Sequence, residues 1–158
     1  FMKILNLVLG FIFVGLVIAA FMAPFGPTPG FTIGGIAADV PASWGDTESI
    51  EEIHLQVGEG PIGRTVIIWV VQIDGDLYIT GQKDSGWTQG IRSGSAVRMQ
   101  MAGNLYELNA VPVMEGQTQV LDDWLAKYTA LYPSLVEGYP APEEAVKTAA
   151  VFRLTARS

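Results

Sequence analysis

Residues 65–73 read TVIIWVVQI, apolar on both alternating phases apart from Thr65 and Gln72. A strand with one wet face alternates polar and apolar residues, so a run that is apolar on both phases is buried on both sides. Asp74-Gly75 follows, a pair suited to the positive φ angles of a tight hairpin turn, and residues 77–80 return antiparallel. Beyond a polar loop, Val97, Met99 and Met101 alternate with Arg98 and Gln100, Gly103-Asn104 turns the chain, and residues 105–113 pair back. Upstream, Ile53, Leu55 and Val57 alternate with His54 and Gln56 as an earlier strand. Downstream, Val120, Leu121, Trp124, Leu125, Tyr128 and Leu131 recur at helical spacing until Pro133 stops them, and AVFRLT at 150–155 supplies a closing strand. The predicted fold is mainly β with α: a small antiparallel barrel with one or two packed helices over residues 49–158.

Composition narrows the function classes. The chain has 158 residues, a formal net charge of −7 and nine Lys and Arg residues that are scattered rather than clustered. Phosphate-backbone recognition needs clustered basic residues, so no nucleic-acid partner is expected. The absence of cysteine removes disulfides, thiolate metal sites and cysteine nucleophiles. His54, the one histidine, lies on the polar phase of its strand, and with no second ligand nearby it reads as structural; no metal site is expected. No G-x-S-x-G elbow occurs, which removes the usual serine-hydrolase arrangement. The acidic residues between 46 and 52 read as a solvated face.

Residues 4–22 carry no charge, and a helix of that length rises about 28 Å, close to the hydrocarbon thickness of a bilayer. Residues 1–23 are therefore expected to be a single transmembrane anchor contacting lipid through residues 4–22, with a cleaved signal peptide as the rival. Lys3 precedes the run, whereas Asp39, Asp46, Glu48, Glu51 and Glu52 follow it before the next basic residue, Arg64. The positive-inside tendency then predicts a single-pass protein of the inner (cytoplasmic) membrane with its barrel on the periplasmic side. Residues 24–48 form a linker too rich in Gly and Pro for a helix and too apolar for a solvated tether; packing along the domain is expected. Gly10, Gly15 and Ala19 give the apolar run a small-residue stripe, which suits an accessory subunit of a larger membrane protein complex.

The polar loop that starts at Thr80, TGQKDSGW, carries the chemistry. It follows a strand and leads into a helical turn over residues 87–92, with Ser85 as its N-cap. Glycine-opened amides, a helix start and Lys83 make a phosphate cradle, to which Arg64 and Arg92 add charge-assisted bonds. Trp87 stands in this loop as a surface on which a planar ring can stack, whereas Trp69, Trp124, Met99 and Met101 read as core.

Gly63-Arg64-Thr65, the strand with Trp69, the Asp74-Gly75 turn, Leu77-Tyr78-Ile79 and Ser85-Gly86-Trp87 in this order resemble the split β-barrel of the flavin and deazaflavin reductase superfamily. That superfamily includes pyridoxamine-phosphate-oxidase-like proteins and the nitroreductase-type deazaflavin family. The resemblance covers residues 50–156. It implies FMN or a deazaflavin as cofactor, held by Arg64, Thr65, Thr80, Gly81, Lys83, Ser85, Trp87 and Arg92, an oxidoreductase activity, and a homodimer. Deazaflavin-dependent members usually carry Asn and Leu after the tryptophan, where this chain has Thr88 and Gln89. A barrel without cofactor, acting as an accessory subunit, is the alternative.

Overall fold

The computed structural model describes residues 2–22, 24–25, 28–58, 63–91 and 95–157, with the side chains of residues 2, 3 and 19–21 left aside. The doubly apolar stretch is β3 (Arg64–Ile73), and it pairs antiparallel with β4 (Asp76–Gln82) through a turn in which Asp74 and Gly75 take φ of 52° and 88°. On its other side β3 pairs with β2 (Glu52–Val57), which pairs with β5 (Ser95–Met101). From β5 the chain turns into β6 (Asn104–Pro112), and β7 (Ala149–Ala156) joins both β4 and β6. Because β6 meets β7, the strand order β6-β5-β2-β3-β4-β7 closes on itself as an antiparallel barrel. Full closure leaves no sheet edge along this ring to template aggregation.

The second hairpin turns one residue earlier than the sequence predicts. Met101 pairs with Asn104, so the turn residues are Ala102 and Gly103, at φ of 49° and 83°. Gly103 tolerates that region freely and Ala102 does not; the apolar phase of Val97, Met99 and Met101, all turned into the core, fixes the register and overrides the turn preference.

Two cores explain why β3 is apolar on both faces. Val66, Ile68 and Val70 face the barrel interior with Ile53, Leu55, Ile79, Met99, Leu108 and Leu154. Trp69, Val71 and Ile73 face outward, under α3 (Gln117–Leu131), and pack with Val120, Leu121, Trp124 and Tyr128. Pro133 ends α3 as expected; two single-turn helices, α4 (Pro133–Val136) and α5 (Pro142–Ala145), carry the chain to β7.

At the seam between α3 and β3 two polar groups are buried. Lys127 donates its ammonium to the carbonyls of Thr47, Ile50 and Val70 at 3.1, 2.9 and 3.0 Å. The Tyr128 hydroxyl accepts from the Val70 amide at 2.9 Å and reaches the Glu51 carbonyl at 2.7 Å. The acidic side chains of this segment, Asp46, Glu48, Glu51 and Glu52, are exposed, as the solvated-face reading expects, while its backbone carbonyls lie against α3. Burial lowers the Lys127 pKa, opposed by Glu48, Asp46 and Glu51. Burial raises that of Tyr128, opposed by its Val70 hydrogen bond. The raised tyrosine adds stability that is complete below its ordinary value near pH 10 and lost as pH climbs through the folded value. The lowered lysine acts oppositely, its contribution being present above the ordinary lysine value and lost as pH falls. Urea midpoints measured from pH 8 to 11.5 should therefore show the cost of Tyr128→Phe shrinking above pH 10, by up to about 1.4 kcal/mol per pH unit. A pH-independent cost would contradict this assignment.

The N-terminal segment corrects one expectation. Residues 2–22 are helical, as α1 (Met2–Met22), with exposed apolar side chains such as Phe11 and Leu16. Among the described residues, however, no helix is long and apolar enough to cross a membrane. The expected transmembrane anchor, and with it the single-pass inner-membrane placement with a periplasmic barrel, is withdrawn. The following segment lies on the barrel. Gly30 and Thr65 exchange backbone hydrogen bonds at 2.8 Å, β1 (Ile36–Ala37) pairs parallel with the start of β6, and Trp44 meets Tyr106 edge-on at 5.0 Å.

Candidate functional site

The loop after β4 is held from within. Thr88, in the single-turn helix α2 (Gly86–Gly90), is buried, and its hydroxyl lies 2.6 Å from the Gln82 carbonyl and 2.9 Å from the Ser85 hydroxyl. Lys83 donates to the carbonyls of Val146 and Lys147 at 2.9 and 3.1 Å, clasping the end of α5, while its own amide binds the Thr148 carbonyl. Trp87 is 8% exposed and belongs to the barrel core, with its ring against Gly81 and 6.1 Å from Phe152. Thr65 is fully buried and accepts a hydrogen bond from Gln56 at 3.1 Å. Arg92 lies outside the described residues.

The remaining candidates divide between two recesses. Arg64 lays its guanidinium beside Gly86; with Ser85, Trp87, Thr28 and Pro29 it lines a recess of about 220 Å³. Thr80 and Gly81, with Gln82, form the β4 wall of a second cleft of about 330 Å³. Its other walls are Leu121, Trp124 and Leu125 of α3, then Tyr139, Pro140 and Pro142 of the chain leading into α5. The seven described residues of the eight singled out from sequence therefore do not share one pocket.

The larger cleft has the features of a ligand site. Its volume falls at the lower end of the range for small-molecule pockets, and its lining is predominantly apolar, with aromatic residues and few polar groups. Trp124 and Tyr139 meet at 5.3 Å, with rings tilted by 45°. Trp124 Nε1 is buried and finds no acceptor among the described residues; such an unpaired donor costs about 1–3 kcal/mol and calls for an explanation. Ala145, Thr148 and Ala149 line the α5 end of the cleft, and Lys83, engaged with the carbonyls of Val146 and Lys147, is not among its lining residues. Trp124 was legible in the sequence only as a packing residue. Tyr139 carried no signal, since nothing local shows that a Gly-Tyr-Pro loop returns to cover β4.

The fold and this cleft define a small closed antiparallel barrel with an aromatic-walled recess of ligand size between β4 and α3. No protein-family model matches the chain, and no curated protein matches it. Among solved structures, the chain is similar to a NimC/NimA family protein from Clostridium acetobutylicum, with 18% identity over 68% of this chain and 78% of that one and a TM-score of 0.43.

Proposed function

We propose that this protein binds a planar ring of flavin type in the cleft between β4 and α3 and serves electron or hydride transfer. The observation that carries the reading is the cleft itself: about 330 Å³, with Trp124 and Tyr139 beside the polar backbone edge of residues 80–82. The residues fit the ring better than they fit its phosphate. Leu121, Leu125, Trp124 and Tyr139 offer apolar and aromatic surface, Thr80 and Gln82 offer polar contacts, and no cation lines the cleft among the described residues. Arg64 and Ser85 belong to the other recess and take no part. When bound, a flavin or deazaflavin supplies the redox chemistry; the chain's task is to bind and orient it and to exclude water. The accessory-subunit reading has the exposed apolar side chains of α1 in its favour.

Titrating riboflavin, FMN and a deazaflavin against the protein, followed by flavin fluorescence, tests the reading. Binding should weaken roughly two- to tenfold in Tyr139→Ala, the loss of one aromatic contact, and remain unchanged in Arg64→Ala. The opposite pattern would move the ring to the Arg64 recess, and absence of binding would end the proposal.

A further inference from the structure

Five aromatic rings form a continuous array across the seam between α3 and β3. From the cleft, Tyr139 meets Trp124, and Trp124 meets Trp69 at 5.3 Å. Trp69 stands between two tyrosines with its ring nearly parallel to both: Tyr128 at 4.2 Å and 7°, and Tyr132 at 5.6 Å and 5°. The two tyrosines differ in what their hydroxyls meet. Tyr128 is fully buried, and its hydroxyl is enclosed by the backbone of Val70 and Glu51. Tyr132, partly exposed, donates to the Glu51 carboxylate.

That difference decides where an oxidising equivalent can rest. Removing an electron from a phenol makes it a strong acid, so the oxidised state is stable only where the proton has a base to receive it. Backbone carbonyls are poor bases and a carboxylate is an adequate one. Tryptophan can pass a hole on without exchanging a proton, which suits Trp124 and Trp69 to the interior positions.

We infer that Trp124, Trp69 and Tyr132 form a one-electron route from the cleft to the surface, with Glu51 as proton acceptor at its outer end. The balance closes in three transfers. A one-electron oxidant of the excited-flavin class in the cleft takes an electron from Trp124, Trp69 reduces Trp124, and Tyr132 reduces Trp69. The Tyr132 phenolic proton passes to Glu51 Oε2. The oxidant ends one electron richer, Tyr132 is a neutral radical and Glu51 is a neutral acid. The identity of the oxidant rests on the cleft reading above; the route rests on the ring geometry alone.

The test uses the full chain. Riboflavin is first titrated in the dark, then the complex is illuminated and the radical identified by electron paramagnetic resonance and transient absorption. A tyrosyl signal is expected in the parent protein, replaced by a tryptophanyl signal in Tyr132→Phe. In Glu51→Gln the tyrosyl should form about a hundredfold more slowly, the lower end of what a positioned proton acceptor contributes. Both substitutions keep the size of side chains that are not fully buried, and circular dichroism checks that each variant is folded. If riboflavin does not bind in the dark, the cleft reading fails by itself. The same radical measurement with flash-generated tris-bipyridyl ruthenium(III) then decides the route. A tyrosyl yield unchanged in Tyr132→Phe, or a rate unchanged in Glu51→Gln, overturns the inference.

Discussion

Lys127→Met should lower the stability of the barrel by about 3 kcal/mol or more, and its melting temperature by roughly 10 °C. Methionine matches the length of the lysine stem, so the effect isolates the ammonium. Three backbone carbonyls, those of Thr47, Ile50 and Val70, accept from it; Thr47 also accepts from the Ile50 amide and Val70 from Tyr128. Each loses a charge-assisted bond from a side chain that is only 8% exposed. Against a total stability of about 5–15 kcal/mol for a domain of this kind, that is a large fraction. Lys147 provides the control. Its ammonium is 2.6 Å from the Glu144 carboxylate, but their side chains are 66% and 64% exposed, so solvent screens the pair and Lys147→Met should cost under about 0.5 kcal/mol. Thermal and urea unfolding of the two variants give the comparison. Equal effects would mean that water reaches the α3–β3 seam.

Gly81→Ala should cost about 3 kcal/mol from a single methyl group, at the upper end for overpacking. A Cβ at position 81 would lie 2.2 Å from Cζ2 of Trp87 and 3.0 Å from its Cε2. The strand is held on both sides of this position, because Gly81 pairs with Ala150 as the fifth of six rungs from Leu77↔Leu154 to Gln82↔Ala149, and the next amide, that of Lys83, binds the Thr148 carbonyl. The indole cannot step aside either, since its place in the barrel core is fixed by close packing. The double variant with Trp87→Leu separates this collision from any loss of β4 itself. The methyl should then cost at least about 1 kcal/mol less than in the parent, a coupling expected between touching residues. Additive costs would show that Gly81 is needed for the strand rather than for the ring.

The parts of the fold that are local in sequence were legible there. Period-two alternation placed β2 and β5, a turn expected one residue late placed β6, the doubly apolar run placed β3, Asp74-Gly75 placed its turn, and Pro133 placed the end of α3. These signals act over a few residues and survive burial. Lys127 shows how a local signal can be misread. It lies three residues after Trp124 and seven after Val120, on the apolar stripe of its own helix, and its charge hid that position. The cleft was not legible, because its walls come from residues 80–82, 121–125 and 138–149 and only the closure of the barrel brings them together. The phosphate cradle rests on a local pattern of glycine, a helix start and Lys83. In the folded chain Ser85 and Thr88 close the loop on itself and Lys83 clasps α5, while Arg64 lines a separate recess. The apolar N-terminal run shows the limit of hydropathy, which predicted a spanning segment that the described helices do not support.

The front of the chain is fastened to the barrel rather than hung from it. Its attachments come in two groups: the reciprocal Gly30–Thr65 bonds with the Phe31 carbonyl held by Gly63 and Gln56, then Ile36 to Gly103 and Ala38 to Leu105. A pull applied at α1 would meet the bonds at Gly30 and Phe31 first and would part them before loading the two rungs on β6. The barrel strands, each held by ladders of four to seven partners, would yield last. The front of the molecule is thus a tear strip: it can peel away in two increments while the closed ring behind it stays whole.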